Sequence, residues 1–91
     1  MVMYGGRKLS PYELALLQKM FYQTYIGGRH TDETSVLRGF PKHDRKKVRK
    51  ALKLLVRNNL VIEYKSTGQT HVSLNPFLIS EIKNILGEKM R

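Results

Sequence analysis

The sequence predicts an α+β domain, mainly α, with four helices and one β-hairpin. Three observations point there. Apolar residues recur at helical spacing within Lys42–Arg57 and again around Leu14–Tyr25 and Leu78–Leu86. Between Leu60 and Leu74 the pattern becomes β-rich, then alternating, around a glycine. Ser10-Pro11 and Asn75-Pro76 each pair a capping side chain with a proline, a signature of helix starts. Ninety-one residues, 41% hydrophobic, supply one modest core. The reading is a single domain over 10–87, with a flexible basic arm at 1–9 and a frayed tail at 88–91.

The arm rests on Gly5-Gly6, read as flexible, and on the basic pair Arg7-Lys8. The first helix opens at Ser10-Pro11-Tyr12-Glu13, where Ser10 caps and Glu13 completes a capping box. Leu14, Leu17, Phe21 and Tyr25 form its core stripe, and Gly27-Gly28 ends it. Leu16 and Met20 fall on a second face. They are either a dimer contact or scattered surface apolars.

Thr31-Asp32-Glu33-Thr34 starts a short second helix, which Gly39 and Pro41 stop. Asp44 is read as the cap of the third helix, which runs to Asn58 or Asn59. Asn58-Asn59 stands in for the glycine of a left-handed terminus. Leu60–Tyr64 and Thr70–Leu74 are the strands of the hairpin, and Lys65–Gln69 is its turn. A last helix follows Asn75-Pro76 on the apolar arc Leu78, Ile79, Ile82, Ile85 and Leu86, and Gly87 closes it.

The third helix carries the strongest signal. Lys42–Arg57 holds eight of the seventeen Lys and Arg residues and one acid, Asp44. The charge is sorted. Val48, Ala51, Leu52 and Leu55 share one face, and Lys46, Lys50, Lys53 and Arg57 fall opposite. A cationic stripe of this density fits a polyanion, nucleic acid first. The bland alternative is a solvated face. The scarcity of acids to make i,i+4 pairs argues against it.

Other classes find less support. The apolar runs are too short for a membrane span, and the N-terminus has no signal-peptide character. Cysteine is absent. His30, His43 and His71 lie far apart in sequence, so no metal site is expected. Lys65-Ser66 ends like a phosphate-binding loop but follows Tyr64 rather than glycine. No nucleophile motif or tuned acid pair is visible, so neither an enzyme nor a cofactor is expected. The default location is the cytoplasm.

The order helix, short helix, basic helix, hairpin, helix resembles the winged helix-turn-helix family of transcriptional regulators over residues 10–86. The spacing Val48, Leu52, Leu55, Leu60 carries the resemblance, with Lys65–Gln69 as the wing loop. Gly39–His43 is longer than the usual turn. Either the turn is extended or the third helix begins before Asp44. The resemblance implies that the third helix lies in the DNA major groove, with Arg45, Lys46, Arg49 and Lys50 facing it.

Arg45 and Arg49 are the candidates for base contacts, since arginine matches guanine O6 and N7 in a bidentate pair. Lys46, Lys50, Lys53 and Arg57 cannot all reach bases from one pose, so some of them would contact phosphate, and Lys42 joins them as a DNA-binding candidate. Lys65, Ser66, Thr67 and Gln69 of the wing could reach phosphate or the minor groove, although a polar hairpin tip is common in any protein. Arg29 and His30 sit near the second helix's N-terminus. The resemblance also implies a homodimer, through helix 1 at Leu16 and Met20, through helix 4, or both. Two rival readings remain: a sequence-neutral architectural DNA-binding protein, and a protein- or RNA-interaction module of a larger assembly.

Overall fold

The computed structural model describes residues 2–89. The elements run β1 (Met3–Tyr4), β2 (Arg7–Lys8), α1 (Pro11–Tyr22), β3 (Thr31–Asp32), α2 (Glu33–Arg38), α3 (Arg45–Arg57), β4 (Val61–Ser66), β5 (Gln69–Leu74) and α4 (Ile79–Lys89). The architecture is α+β. α1 lies against α3, α4 and β5, and the core forms where they meet.

The N-terminal segment is not a flexible arm. β1 and β2 pair antiparallel, Met3 with Lys8 and Tyr4 with Arg7. Gly5 and Gly6 both take positive φ, 60° and 77°, as a two-residue turn with left-handed central residues requires. The Leu9 amide donates to the Val2 carbonyl at 2.9 Å, and both side chains are buried in the core. Arg7 then clamps the hairpin to α1. Its guanidinium donates to both Glu13 carboxylate oxygens, at 3.0 and 2.6 Å.

The expected capping box is present, with Ser10 and Glu13 bonded reciprocally. Glu13 is fully buried. Burial pushes its pKa up, but hydrogen bonds from Arg7 and Ser10 outweigh that and hold it below the ordinary carboxylate value.

The second face of α1 is also core. Leu16 and Met20 are both 0% exposed, beside Leu17, so they cannot be a dimer contact on this fold. Leu14, Phe21 and Tyr25 are only partly buried. A helix packed by three elements buries more than one stripe. α1 also ends earlier than Gly27, at Tyr22 with Gln23 as its cap. Thr24 takes φ 58°, which turns the chain back toward β5.

α2 is short, as expected. The Asp32 carboxylate caps it by accepting from the Ser35 amide at 2.7 Å. Its C-terminus is held by Lys19 of α1, whose ammonium donates to the Val36 carbonyl at 3.3 Å and lies 5.5 Å from the centre of the Phe40 ring.

Asp44 does not cap α3. A 3-10 turn over Lys42–Asp44 leads directly into the helix, and the Asp44 side chain accepts instead from the Tyr12 hydroxyl at 2.9 Å. That bond raises the Tyr12 pKa. The long turn is thus resolved by early helical winding. Val48, Ala51, Leu52 and Leu55 are buried as predicted. Full burial of a leucine or valine side chain contributes about 1.5–3 kcal/mol. Asn59, at φ 68°, ends the helix in the left-handed conformation.

The hairpin is longer than predicted, with pairing from Val61–Leu74 out to Ser66–Gln69 and Thr67-Gly68 as its tip. It is also joined by a third strand that the sequence reading missed. β3 pairs antiparallel with β5, Thr31 with Val72 and Asp32 with His71, so the sheet order is β3-β5-β4. α4 follows a 3-10 turn at Pro76–Leu78, which Asn75 caps. Ile82, Ile85 and Leu86 are buried, as expected. Gly87 does not close α4, which continues to Lys89; of the proposed frayed tail, residues 90 and 91 lie outside the described residues.

Candidate nucleic-acid interface

α3 positions most of the candidate residues. Its buried face fixes its rotation, so the opposite face must meet solvent. Lys46, Lys50, Lys53 and Arg57 are all exposed there. From Lys46 to Arg57 the stripe spans about 16 Å at 1.5 Å per residue. No acid lies within α3 itself. Like charges this close repel one another, so the bare face favours counterions or a polyanion.

The two arginines chosen for base contacts stand differently. Arg45 is half-buried, and its Nε donates to the Phe40 carbonyl at 3.3 Å. It braces the turn that enters α3. Arg49 lies at the edge of the stripe, its Nε 3.8 Å from Glu33 Oε1, with half its side chain exposed. Both flank the α2 side of the helix. The sequence could not reveal either contact, because both partners belong to preceding segments.

Lys42 is exposed in the 3-10 turn. Ser66, Thr67 and Gln69 are exposed at the tip of the β4–β5 hairpin, and Lys65 Nζ lies 3.7 Å from Glu63. The hairpin tip approaches the start of α2. Asp32, Glu33 and Thr34 line one cleft of about 250 Å³ with Gly68, Gln69 and Thr70. That end of α2 is unsuited to phosphate. Hydrogen bonds from Ser35 hold the Asp32 pKa down, so the cap is ionised and its acceptor is already engaged.

Two histidines that are distant in sequence meet through the β3–β5 pairing. His30 Nδ1 and His71 Nδ1 are 3.1 Å apart, and His71 Nε2 is 3.2 Å from Gln69 Oε1. The His30 ring also packs against Tyr64, at 5.2 Å between centroids. A direct nitrogen–nitrogen bond needs one ring nitrogen without a proton. His43 lies elsewhere, 3.6 Å from Asp44. Among the described residues no three His, Cys, Asp or Glu side chains gather into a metal-binding group.

No family model, curated protein or solved structure matches the chain.

Lys47 was missed as a candidate, and Lys8 was weighed only as part of a basic pair in a free arm, adding non-specific affinity or nothing. Lys47 is exposed on the flank of α3 away from Glu33, and Lys8 is exposed on β2. Both line a groove of about 300 Å³ between the N-terminal hairpin and α3, with Tyr12, Ala51 and Leu54 also in its wall. The adjacent basic residues Arg7-Lys8 were the available signal, but a free arm gave no reason to place them beside α3. Large exposed apolar side chains lie elsewhere, with Phe77 at 90% and Tyr22 at 78% exposure. Among the described residues no helix is long and apolar enough to cross a membrane.

Proposed function

We propose that this protein binds double-stranded DNA through α3, in the manner of a winged helix protein. One observation carries the reading: four exposed cations on one face of a helix whose other face is locked into the core. Such a face is fixed in orientation before any ligand arrives. The major groove is about 12 Å wide and admits a helix. The element order supports the same reading, as does a small sheet in which a strand before α2 pairs with the returning strand of the hairpin. Thr67 and Gly68 then form the wing tip.

A sequence-specific dimeric regulator is the fuller form of the proposal. With Leu16 and Met20 in the core, dimerisation would use α4 or the exposed Phe77 and Tyr22 instead. A second reading has its own support. Arg45 and Arg49 both engage neighbours, and the freest cations on α3 are mainly lysines, which suit phosphate more than base edges. That favours sequence-neutral binding driven by counterion release.

Selection from a random duplex pool separates the two. A winner preferred by about 10³ or more, with half-sites about ten base pairs apart, marks a dimeric regulator. Equal affinities that collapse together as salt rises mark an architectural protein. Absence of duplex binding at low salt overturns both.

A further inference from the structure

We infer that the N-terminal hairpin and the adjoining flank of α3 form a second phosphate-binding edge, with Lys8 and Lys47 gripping the DNA strand on the side away from the wing tip. The inference rests on the duplex-binding reading and assigns residues outside the helical stripe.

Position comes first. Lys47 and Arg49 are two residues apart, hence about 200° apart around α3. Arg49 faces Glu33, which shares a cleft with the hairpin tip. Lys47 therefore faces the other way, toward the N-terminal hairpin, and it lines the groove there with Lys8 and Lys50. Lys50 also belongs to the exposed stripe. A polyanion lying along the stripe thus runs without a break into this groove.

Charge comes second. The two flanks of α3 are unequal. On the Arg49 side, Glu33 and the ionised Asp32 oppose phosphate. One acid, Glu13, lines the groove itself, but its carboxylate is buried and held by Arg7. Lys8, Lys47 and Lys50 have no acidic partner among the described residues. The apolar wall of Tyr12, Ala51 and Leu54 lowers the local dielectric and strengthens attraction to an anion there.

Preorganisation comes third. Lys8 sits on a hairpin pinned by the Arg7–Glu13 clamp and by the buried Val2 and Leu9. Its backbone is therefore placed before binding, which lowers the ordering penalty.

The test is the salt dependence of affinity for a fluorescent duplex of about sixteen base pairs. Full-length wild type is compared with the double variant Lys8→Ala/Lys47→Ala and with Lys83→Ala on α4. Circular dichroism confirms that each is folded. Each lost phosphate contact should flatten the log–log salt slope by about 0.9, so the double variant should lose about 1.8. Its affinity at low salt should fall about tenfold or more, equally for selected and scrambled duplexes. Lys83→Ala should match wild type. An unchanged slope in the double variant, with wild type binding normally, overturns this edge and leaves the α3 reading intact. A loss of about half that size in Lys83→Ala also overturns it, because the effect per removed charge would then be bulk charge. Failure of wild type to bind duplex overturns both readings. Tighter capture of an acidic Glu/Leu peptide than of the duplex, abolished in the double variant, would make the groove a protein-docking site instead.

Discussion

The Lys19 ammonium occupies the space that a β-carbon on Gly39 would fill. Gly39 takes an ordinary helical φ of −73°, so backbone strain does not explain the glycine. Its missing side chain admits Lys19, which caps α2 at Val36 and covers Phe40. Gly39→Ala should expel the ammonium. The lost hydrogen bond and cation–π contact are worth about 1–2 kcal/mol together. Reduced unfolded-state entropy returns about 0.4–1 kcal/mol. A net loss of about 1 kcal/mol in urea unfolding is expected. In a Lys19→Ala background the same change should be neutral or stabilising. An equal loss in both backgrounds would show that the ammonium is not the cause.

Glu13 links the N-terminal hairpin to pH. Its folded pKa lies below the ordinary value. Its contribution is therefore complete above the unfolded carboxylate pKa and fades as pH falls through the folded one. Wild type should lose stability from about pH 5 downward. Glu13→Gln should cost about 1–3 kcal/mol at neutral pH and show a shallower acid limb. Unfolding midpoints between pH 3 and 7 measure both, and parallel acid limbs would remove Glu13 from the account.

On the proposed duplex-binding reading, Glu33 would compete with DNA for Arg49. Replacing it with glutamine should release the guanidinium and raise duplex affinity a few-fold at low salt, with the gain fading as screening increases. Arg49→Ala should cost about 1–3 kcal/mol on a selected site and relax preference at one base, while Lys53→Ala should weaken all sequences alike. If neither Glu33→Gln nor Arg49→Ala changes binding, the α2-side edge of α3 is not in contact with DNA.

Ser73 is fully buried on β5, and its hydroxyl has no hydrogen-bond partner among the described residues. A buried unsatisfied group carries a desolvation penalty of about 1–3 kcal/mol. Ser73→Ala should therefore be stabilising by about 1 kcal/mol in thermal unfolding, against the usual sign for a core change. A clear loss would mean that the hydroxyl is bonded.

The most legible element in the sequence was α3. Its four buried apolar residues repeat at helical spacing, and the lysines opposite them follow automatically. α1 was harder, because periodicity describes one contact face and α1 is packed by three elements. A two-residue strand such as β3 has no period to read, so the His30–His71 contact stayed hidden with it. The hairpin signal at Gly5-Gly6 was present between apolar Met3-Tyr4 and Leu9, but glycine was read there as freedom rather than as a left-handed turn. Asp44 stands at the start of α3 without capping it, and Arg45 and Arg49 lie on the helix. Their hydrogen-bond and ionic partners come from other segments, and no local pattern encodes such choices.

The pairing of Thr31 with Val72 joins positions about forty residues apart in the chain. During synthesis, the strand that anchors the entrance to α2 emerges long before its partner. α1, α2 and α3 can wind early, but the β3–β5 seam must wait for the returning strand. A nascent chain stopped before residue 70 would have helices without their lateral tie, and α2 would lack its anchor beside α3. Completion of the hairpin thus supplies the strand that ties β3, and through it the start of α2, to the sheet, before α4 adds its buried face.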